Sequence, residues 1–287
     1  MGTPQAVVLA PSGYSIEPDF QSGDALAAID RILERLPQDR GVFGIGAGFA
    51  AKLGLAIPGL CEMAPISAKA SLAAAPHDAL LWLTADSAGE AFDRADELAS
   101  AARFDFRVAE QVALFRYRDS RDLTGFIDGI GNPVGEEATR AAFIAGGPLA
   151  GGSFAFVQRF VHDRAAFAEL SAAEQADVIG RTKADAEELE GAPETAHVKR
   201  VDQEGFDPPM FILRKSMPWG DLEKNGLLFL AFTRDLDRIE IMRRRMVGAE
   251  DGVADSLLRY TRAVTGAYYF CPAIEDGKPD VRALLAK

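Results

Sequence analysis

The chain has 287 residues, room for about two ordinary domains, and its 48% hydrophobic and 26% charged content is that of a soluble folded protein rather than a disordered one. Acids outnumber bases 43 to 31, and the net charge of -12 repels phosphate backbones and anionic lipid, which excludes nucleic acid and membrane as partners but leaves a neutral or cationic small molecule. Cys61 and Cys271 form no metal-type pair, no apolar stretch approaches a membrane span, and no basic residue precedes the short apolar run at the N-terminus, so no signal peptide is expected and the expected location is a reducing cytoplasm.

The N-terminal run reads as a strand interrupted by Pro11. "GDALAAIDRILERL" puts Leu26, Ile29, Ile32, Leu33 and Leu36 at helical spacing, with Ser22 or Asp24 as cap. "HDALLWLTAD" reads as a buried strand, "SAGEAFDRADELASAARF" as a helix capped by Ser87, and "VALFRYRD" alternates as a strand does. "LTGFIDGIGNP", Leu123 to Pro133, then sets one acid, Asp128, among glycines and three residues that call for burial, Phe126, Ile127 and Ile130. Glycine and alanine concentrate over residues 133–151, which marks a boundary between a domain of residues 1–135, including that loop, and one of residues 150–287.

The second half begins with "GGSFAFVQRFVHD", a strand with Phe154, Phe156, Gln158 and Phe160 on one side and Ala155, Val157, Arg159 and Val161 on the other. A helix over "SAAEQADVIGRTKADAEEL" follows, then a polar loop, strands at "MFILRKSM" and "GLLFLAFTRD", and a helix at "DLDRIEIMRRRM". The order resembles the first half, so the expected fold class is α+β, two units of antiparallel sheet covered by helices.

Three histidines, His77, His162 and His197, are too few for a multi-histidine metal site but leave room for a single axial ligand. His197, in "ETAHVKRVD", reads by itself as an exposed loop residue, although loops also carry function; His162, ending a strand, reads as structural, and His77 as surface. Asp-Gly is an ordinary turn dipeptide, but apolar flanks around Asp128 would raise its pKa toward a range that suits proton transfer. Arg214 would issue from an apolar strand and so needs an anion or a growing negative charge to face. Arg243 to Arg245 would fan out over a solvated helix face.

"GFIDG" fits the G-x-x-D-G motif of the dye-decolorizing peroxidases, and the likeness extends through "QRFVHD", "AHVKRVD", "ILRKSMPWG" and "VTGAYYFCPAI", nearly the whole chain. The resemblance, closest to the cytoplasmic bacterial B-type branch, implies two ferredoxin-like domains of the dimeric α+β barrel type, with haem b in the C-terminal one. It implies His197 as axial iron ligand, Asp128 and Arg214 on the opposite face moving the proton and stabilising charge as hydrogen peroxide is cleaved, and Asp255 as the carboxylate behind His197. Haem carboxylates call for cations, for which Arg159, Lys199 and Arg200 are candidates by charge, and the haem faces call for apolar walls such as Phe211, Leu213, Met217, Phe229 and Leu230. Small organic reductants such as dyes and phenols, and a homo-oligomer, follow from the same likeness. Two departures stand out. Relatives often read D-G-T-E-N-P where this chain reads "DGIGNP", so Gly131 removes a carboxylate that direct manganese oxidation would use, and Ser216 stands where some relatives carry asparagine. Bulky reductants would need surface electron transfer through the set Trp82, Trp219, Tyr117, Tyr260, Tyr268 and Tyr269. Arg214 is expected to outweigh Asp128, because a glycine-flanked loop holds an acid loosely. A haem-handling protein with incidental peroxidase turnover and a haem-free α+β binding module are the alternative readings.

Overall fold

The computed structural model describes residues 2–5, 7 and 9–285. Ala6 and Val8, part of the run expected to form the first strand, lie outside the described residues, and the first strand, β1, is Ser12–Phe20, beyond Pro11. Asp24 caps the first helix, Ala25–Leu33, by accepting from the backbone N–H groups of Leu26 and Ala27, and the apolar spacing buries Ala28, Ile29, Ile32 and Leu33. Next comes a strand that the sequence pattern hides: β2, Gly41–Gly46, is buried throughout although three of its six residues are glycine. A Cβ at Gly44 would lie 2.8 Å from the Cβ of Tyr269, and one at Gly46 only 2.1 Å from the carbonyl oxygen of His77, so this strand packs because side chains are missing. β3 is Ala79–Ala85, every residue buried; the Ser87-capped helix is Ala88–Ala102; β4 is Phe106–Phe115, ending short of the expected Asp119.

In the second half, β5 is Ser153–His162, β6 Met217–Gly220, β7 Asn225–Thr233 and β8 Ala267–Cys271, with a helix at Asp237–Met246 between the last two. Three expectations change. The helix expected over residues 171–189 is only Ala172–Ile179, because Gly180 turns the chain at φ 91° and lets Val198 pass; a Cβ on Gly180 would sit 2.3 Å from the Val198 Cγ2. The strand expected over residues 210–217 breaks into Leu213–Arg214 and the separate β6. The boundary segment contains a helix of its own, Gly135–Ala142.

These eight strands join one antiparallel sheet in the order β5-β8-β2-β3-β1-β4-β6-β7, and pairing of β7 with β5 along Gly226–Thr233 closes it into a ring. Within each half the four strands have the same order, β2-β3-β1-β4 and β6-β7-β5-β8, the ferredoxin-like arrangement. Two seams weld the halves: Leu114 opposite Trp219, and Tyr269 and Phe270 opposite Gly46 and Ile45. Leu213–Arg214 pairs with β7 and Thr261–Ala263 with β5 at the margins. Strand alternation then sorts side chains into two compartments. Ile16, Leu81, Leu83 and Phe156 pack outward with the helices, whereas Trp82, Leu114, Val157, Trp219, Leu230 and Tyr269 cluster inside the ring.

Candidate active site

Outside the ring, between β5, β7 and the helix Asp237–Met246, lies a cavity of roughly 1140 Å³, solvent at its mouth included. Phe156, Gln158, Phe160 and His162 of β5 and Leu227 and Phe229 of β7 form its floor, and Ile239, Met242, Arg243 and Met246 of the helix close one side. Asp128 and Arg214 reach it from one direction and His197 from another. An apolar cleft with a few convergent polar groups is the usual form of a small-molecule or cofactor site.

Asp128 sits on a loop that uses its glycines for positive φ: Gly125 at 92°, Gly129 at 85° and Gly131 at 74°. The loop is not slack. Arg121 donates to the carbonyls of Gly125, Lys183 and Ala184, the Asp128 N–H donates to the Ser120 carbonyl, and Phe126 is buried edge-on against Phe167. Asn132 clasps the backbone of Arg214, accepting from its N–H at 2.9 Å and donating to its carbonyl at 2.8 Å, while the Arg214 guanidinium donates to the Ile130 carbonyl at 2.5 Å. Acid and base are thereby fixed to each other, which overturns the expectation of a loosely held carboxylate. Ile127 lines the cavity as its apolar character requires, but Ile130 is 40% exposed, its carbonyl rather than its side chain being the part in use. Enclosure raises the Asp128 pKa, Arg214 opposes the rise, and the neighbouring Asp122 adds to it. The Arg214 Nε is buried without a partner among the described residues, a donor left over for a bound group.

His197 opens the one-turn helix His197–Arg200, lodged against the end of Ala172–Ile179 by the gap at Gly180. Its Nδ1 meets the Asp255 Oδ2 at 2.6 Å, and Asp255, fully enclosed, is held in turn by the Leu257 N–H at 2.9 Å. Burial opposes charge on the imidazole, but the Asp255 carboxylate outweighs it and carries the His197 pKa up. The other ring nitrogen, Nε2, has no hydrogen-bond partner among the described residues. An imidazole with one nitrogen oriented by a carboxylate and the other free is the usual form of a metal-ligating histidine.

The structure thus brings Asp128, Arg214, His197, Asp255 and Phe229 together. It does not bring the three expected cations. Arg159 points into the ring, 2.9 Å from Glu110 with its guanidinium carbon 5.1 Å from the centroid of the Trp219 ring; Lys199 pairs with Glu188 on the surface; and buried Arg200 is bound to Asp251 and the Arg245 carbonyl. Leu230, Leu213 and Met217 also belong to the ring interior, since adjacent strand residues such as Phe229 and Leu230 cannot share a face, and Ile212 rather than Phe211 lines the cavity. Arg243 is not on a solvated face: it is 2% exposed, lines the cavity, and donates to Glu240, the Tyr268 hydroxyl and the Ala64 carbonyl. Of the six aromatics considered for surface electron transfer, Trp82, Trp219, Tyr268 and Tyr269 are buried.

Sequence reasoning also missed a pair on the cavity wall. His162 Nε2 lies 2.9 Å from the Asp122 Oδ1 and its Nδ1 2.8 Å from the Thr261 hydroxyl, while the other Asp122 oxygen accepts from the backbone and hydroxyl of Thr124. Burial works against the Asp122 charge, yet these donors prevail and hold its pKa down at about 2. The signal was present, because two more steps along the Phe156, Gln158, Phe160 face of β5 arrive at His162.

The family model for Dyp-type peroxidase, C-terminal, matches residues 119–276, which contain every residue gathered at the cavity by the second half and by the Asp128 loop. The chain is 36% identical over 222 residues to the dye-decolorizing peroxidase of Mycolicibacterium paratuberculosis, covering 73% of this chain and 62% of that protein, and 35% identical over 212 residues to that of Mycobacterium tuberculosis, covering 70% and 63%. The match therefore spans less than two thirds of these relatives' length. Among solved structures, the dye-decolorizing protein from V. cholerae superposes with a TM-score of 0.86 at 34% identity, covering 94% of this chain and 95% of that one. DyPB from Rhodococcus jostii gives a TM-score of 0.85 at 30% identity over 94% and 96%, and a variant of it is solved in complex with heme. By sequence, fold and the residues that meet at its cavity, the chain belongs to the Dyp-type peroxidase family.

Proposed function

We propose that the protein is a haem peroxidase that uses hydrogen peroxide to oxidise dyes, phenols and other small organic reductants in one-electron steps. The observation that carries this reading is the meeting of two pairs in one apolar cavity, His197 with Asp255 and Asp128 with Arg214. The cavity fits haem b: it offers a free imidazole nitrogen, aromatic and aliphatic walls, and an unpartnered Arg214 Nε. Polar groups for the haem carboxylates come from Arg243 on the wall and from the adjoining hollow, which shares His162 and Thr261 with the cavity and carries Lys69, Arg164, Arg259 and Arg262. They stand in for the expected Arg159, Lys199 and Arg200.

Haem, when bound, would supply the redox-active iron for the reduction of peroxide. His197 would hold the iron, and Asp255 fixes the tautomer of His197 and enriches its electron density. Asp128, its pKa raised by enclosure, takes the proton from one peroxide oxygen and returns it to the other. Arg214, kept in place by Asn132 and Ile130, stabilises the negative charge on the departing oxygen.

Further parts of this reading are a division into domains of residues 1–135 and 150–287, supported by the repeated strand order, and a reducing cytoplasmic location, supported by two free thiols. No helix among the described residues is long and apolar enough to cross a membrane. A homo-oligomer is supported by exposed Phe92, Phe104 and Val134. The test is a stopped-flow spectrum of the ferric haem-loaded protein mixed with peroxide, followed by addition of a dye. A fast spectral change and dye bleaching are expected; a Soret band without either would favour a haem-handling protein, and failure to take up haem would overturn both.

A further inference from the structure

Inside the ring, on the face of β5 opposite the cavity, lies a second set of reactive groups that the peroxide chemistry does not use. Both tryptophans of the chain, Trp82 and Trp219, belong to the interior cluster, together with Tyr269 and Cys271. They are accompanied by ionisable groups seldom found in a core. Glu17 is 4% exposed and its Oε2 accepts from the Tyr269 hydroxyl at 2.5 Å, and Tyr269 itself is fully buried. Glu110 stands opposite Glu17 in the β1–β4 register and holds Arg159 at 2.9 Å, whose guanidinium lies over Trp219. Trp219 in turn donates its indole N–H at 3.0 Å to the carbonyl of Phe160, whose side chain lines the cavity. Contacts therefore run from the cavity wall through Trp219 and Arg159 to Glu110, and Glu110 faces Glu17, the partner of Tyr269, across the β1–β4 strand pair.

We propose that Tyr269 and Glu17 form an internal redox site, reached through Trp219, that donates an electron to the oxidised haem when no external reductant is bound. This proposal rests on the peroxidase reading for its oxidant. Tyr269 gives up one electron, the peroxide-oxidised haem is reduced by that electron, and the phenolic proton passes along the 2.5 Å hydrogen bond to the Glu17 carboxylate. The products are a neutral phenoxyl radical and a protonated Glu17; when the organic reductant of the peroxidase reaction becomes available, one electron from it reduces the radical and the proton returns from Glu17 to the phenol oxygen. Packing alone does not explain the pair, since a carboxylate enclosed in a core loses its hydration and Phe beside an aliphatic residue would fill the same space without that cost. What a carboxylate beside a phenol adds is an acceptor for the proton, without which removing the electron would leave a buried positive charge. Burial, with Glu110 adding its charge, also raises the Glu17 pKa and so strengthens it as a base. Because Tyr269 has no exposed surface, a radical held there makes no contact with outside molecules and exchanges electrons with them only slowly, by tunnelling through the protein. The site is a protective sink rather than a second place of substrate oxidation.

The test has two arms, each read by electron paramagnetic resonance on frozen samples. In the first, haem-free protein is oxidised by flash-generated tris(bipyridyl)ruthenium(III), and a neutral tyrosyl signal is expected that narrows with ring-deuterated tyrosine, disappears in Tyr269→Phe and is lost in Glu17→Gln. In the second, haem-loaded protein receives peroxide without reductant; the same signal is expected, weakened by Trp219→Phe in this arm only. Tyr269→Phe should also bleach faster at its Soret band under excess peroxide. A signal unchanged by Tyr269→Phe, or absent from wild type in the first arm, overturns the proposal. Should Tyr269→Phe fail to fold, Glu17→Gln decides: an undiminished signal there overturns the pair. Failure of the peroxidase reading would show separately, as no optical response of the haem-loaded protein to peroxide while the first arm still yields the radical.

Discussion

Replacing Asp122 by Asn perturbs both stability and the reactive acid, and the two effects can be separated by pH. In the folded chain the His162 and Thr124 donors take the Asp122 pKa from 3.8 down to about 2, in a side chain only 14% exposed. At about 1.4 kcal/mol per pKa unit, this drop corresponds to about 2 kcal/mol of folding stability. Because the folded pKa lies below the unfolded one, the contribution is present in full above about pH 4 and fades as pH falls toward about 2. Asp122→Asn should therefore lower the urea-unfolding free energy by about 2 kcal/mol at pH 7, or Tm by roughly 4–8 °C, and the gap from wild type should close toward pH 2. The same substitution removes a negative charge that helps raise the Asp128 pKa, so the acid limb of the peroxide-reaction rate should move to lower pH. Thermal and urea unfolding from pH 2 to 7, beside stopped-flow rates on the haem-loaded protein, measure both. A stability gap that persists undiminished at pH 2, or an acid limb displaced upward, would refute the assignment of these charges.

Three other outcomes are expected. His197→Ala should abolish or greatly weaken haem uptake in a Soret titration, and Asp255→Asn should weaken it by about 10–100-fold, the usual effect of removing the group behind a metal-bound histidine. Asp128→Ala should slow the peroxide reaction by about 10²–10⁴ and Arg214→Leu by about 10²–10³; since the loop is firmly tied, Asp128 ranks first, and a slower Arg214→Leu at every pH would reverse that order. Asn132→Ala removes two hydrogen bonds to the Arg214 backbone, so it should cost about 1–3 kcal/mol in urea unfolding and slow the peroxide reaction while leaving the Soret band intact.

The parts of the fold legible in the sequence were those with a clean period: the helix buried by Ile29 and Ile32, the apolar β3, and the alternation in β5. β2 was hidden because Gly41, Gly44 and Gly46 read as breaks, and only the neighbours Tyr269 and His77 reveal why they are needed. Closure of the two sheets into a ring depends on pairings such as Leu114 with Trp219, distant in sequence and invisible to local pattern. At the site, Asp128, Arg214, His197 and Asp255 were found through motif order. Arg159, Lys199 and Arg200 were chosen by charge alone, and charge does not say which way a side chain points. Arg159 is the clear case: placed opposite Phe160 by the alternation already read, it had to face away from the cavity.

β5 is a partition one strand thick. His162, Phe160, Gln158 and Phe156 face the chemistry, while Arg159, Val157 and Ala155 face the sealed interior, so each residue is assigned to its compartment solely by whether its position is odd or even. Adding or deleting a single residue upstream in this strand would exchange the walls, thrusting Arg159 into the cavity and His162 into the barrel. A two-residue change would preserve the faces but shift every pairing with β7 and β8 by one pleat. The strand thus tolerates substitution position by position yet resists any change of length, whereas the mostly exposed turn of residues 190–194, held by local backbone bonds, can vary in length without moving either wall.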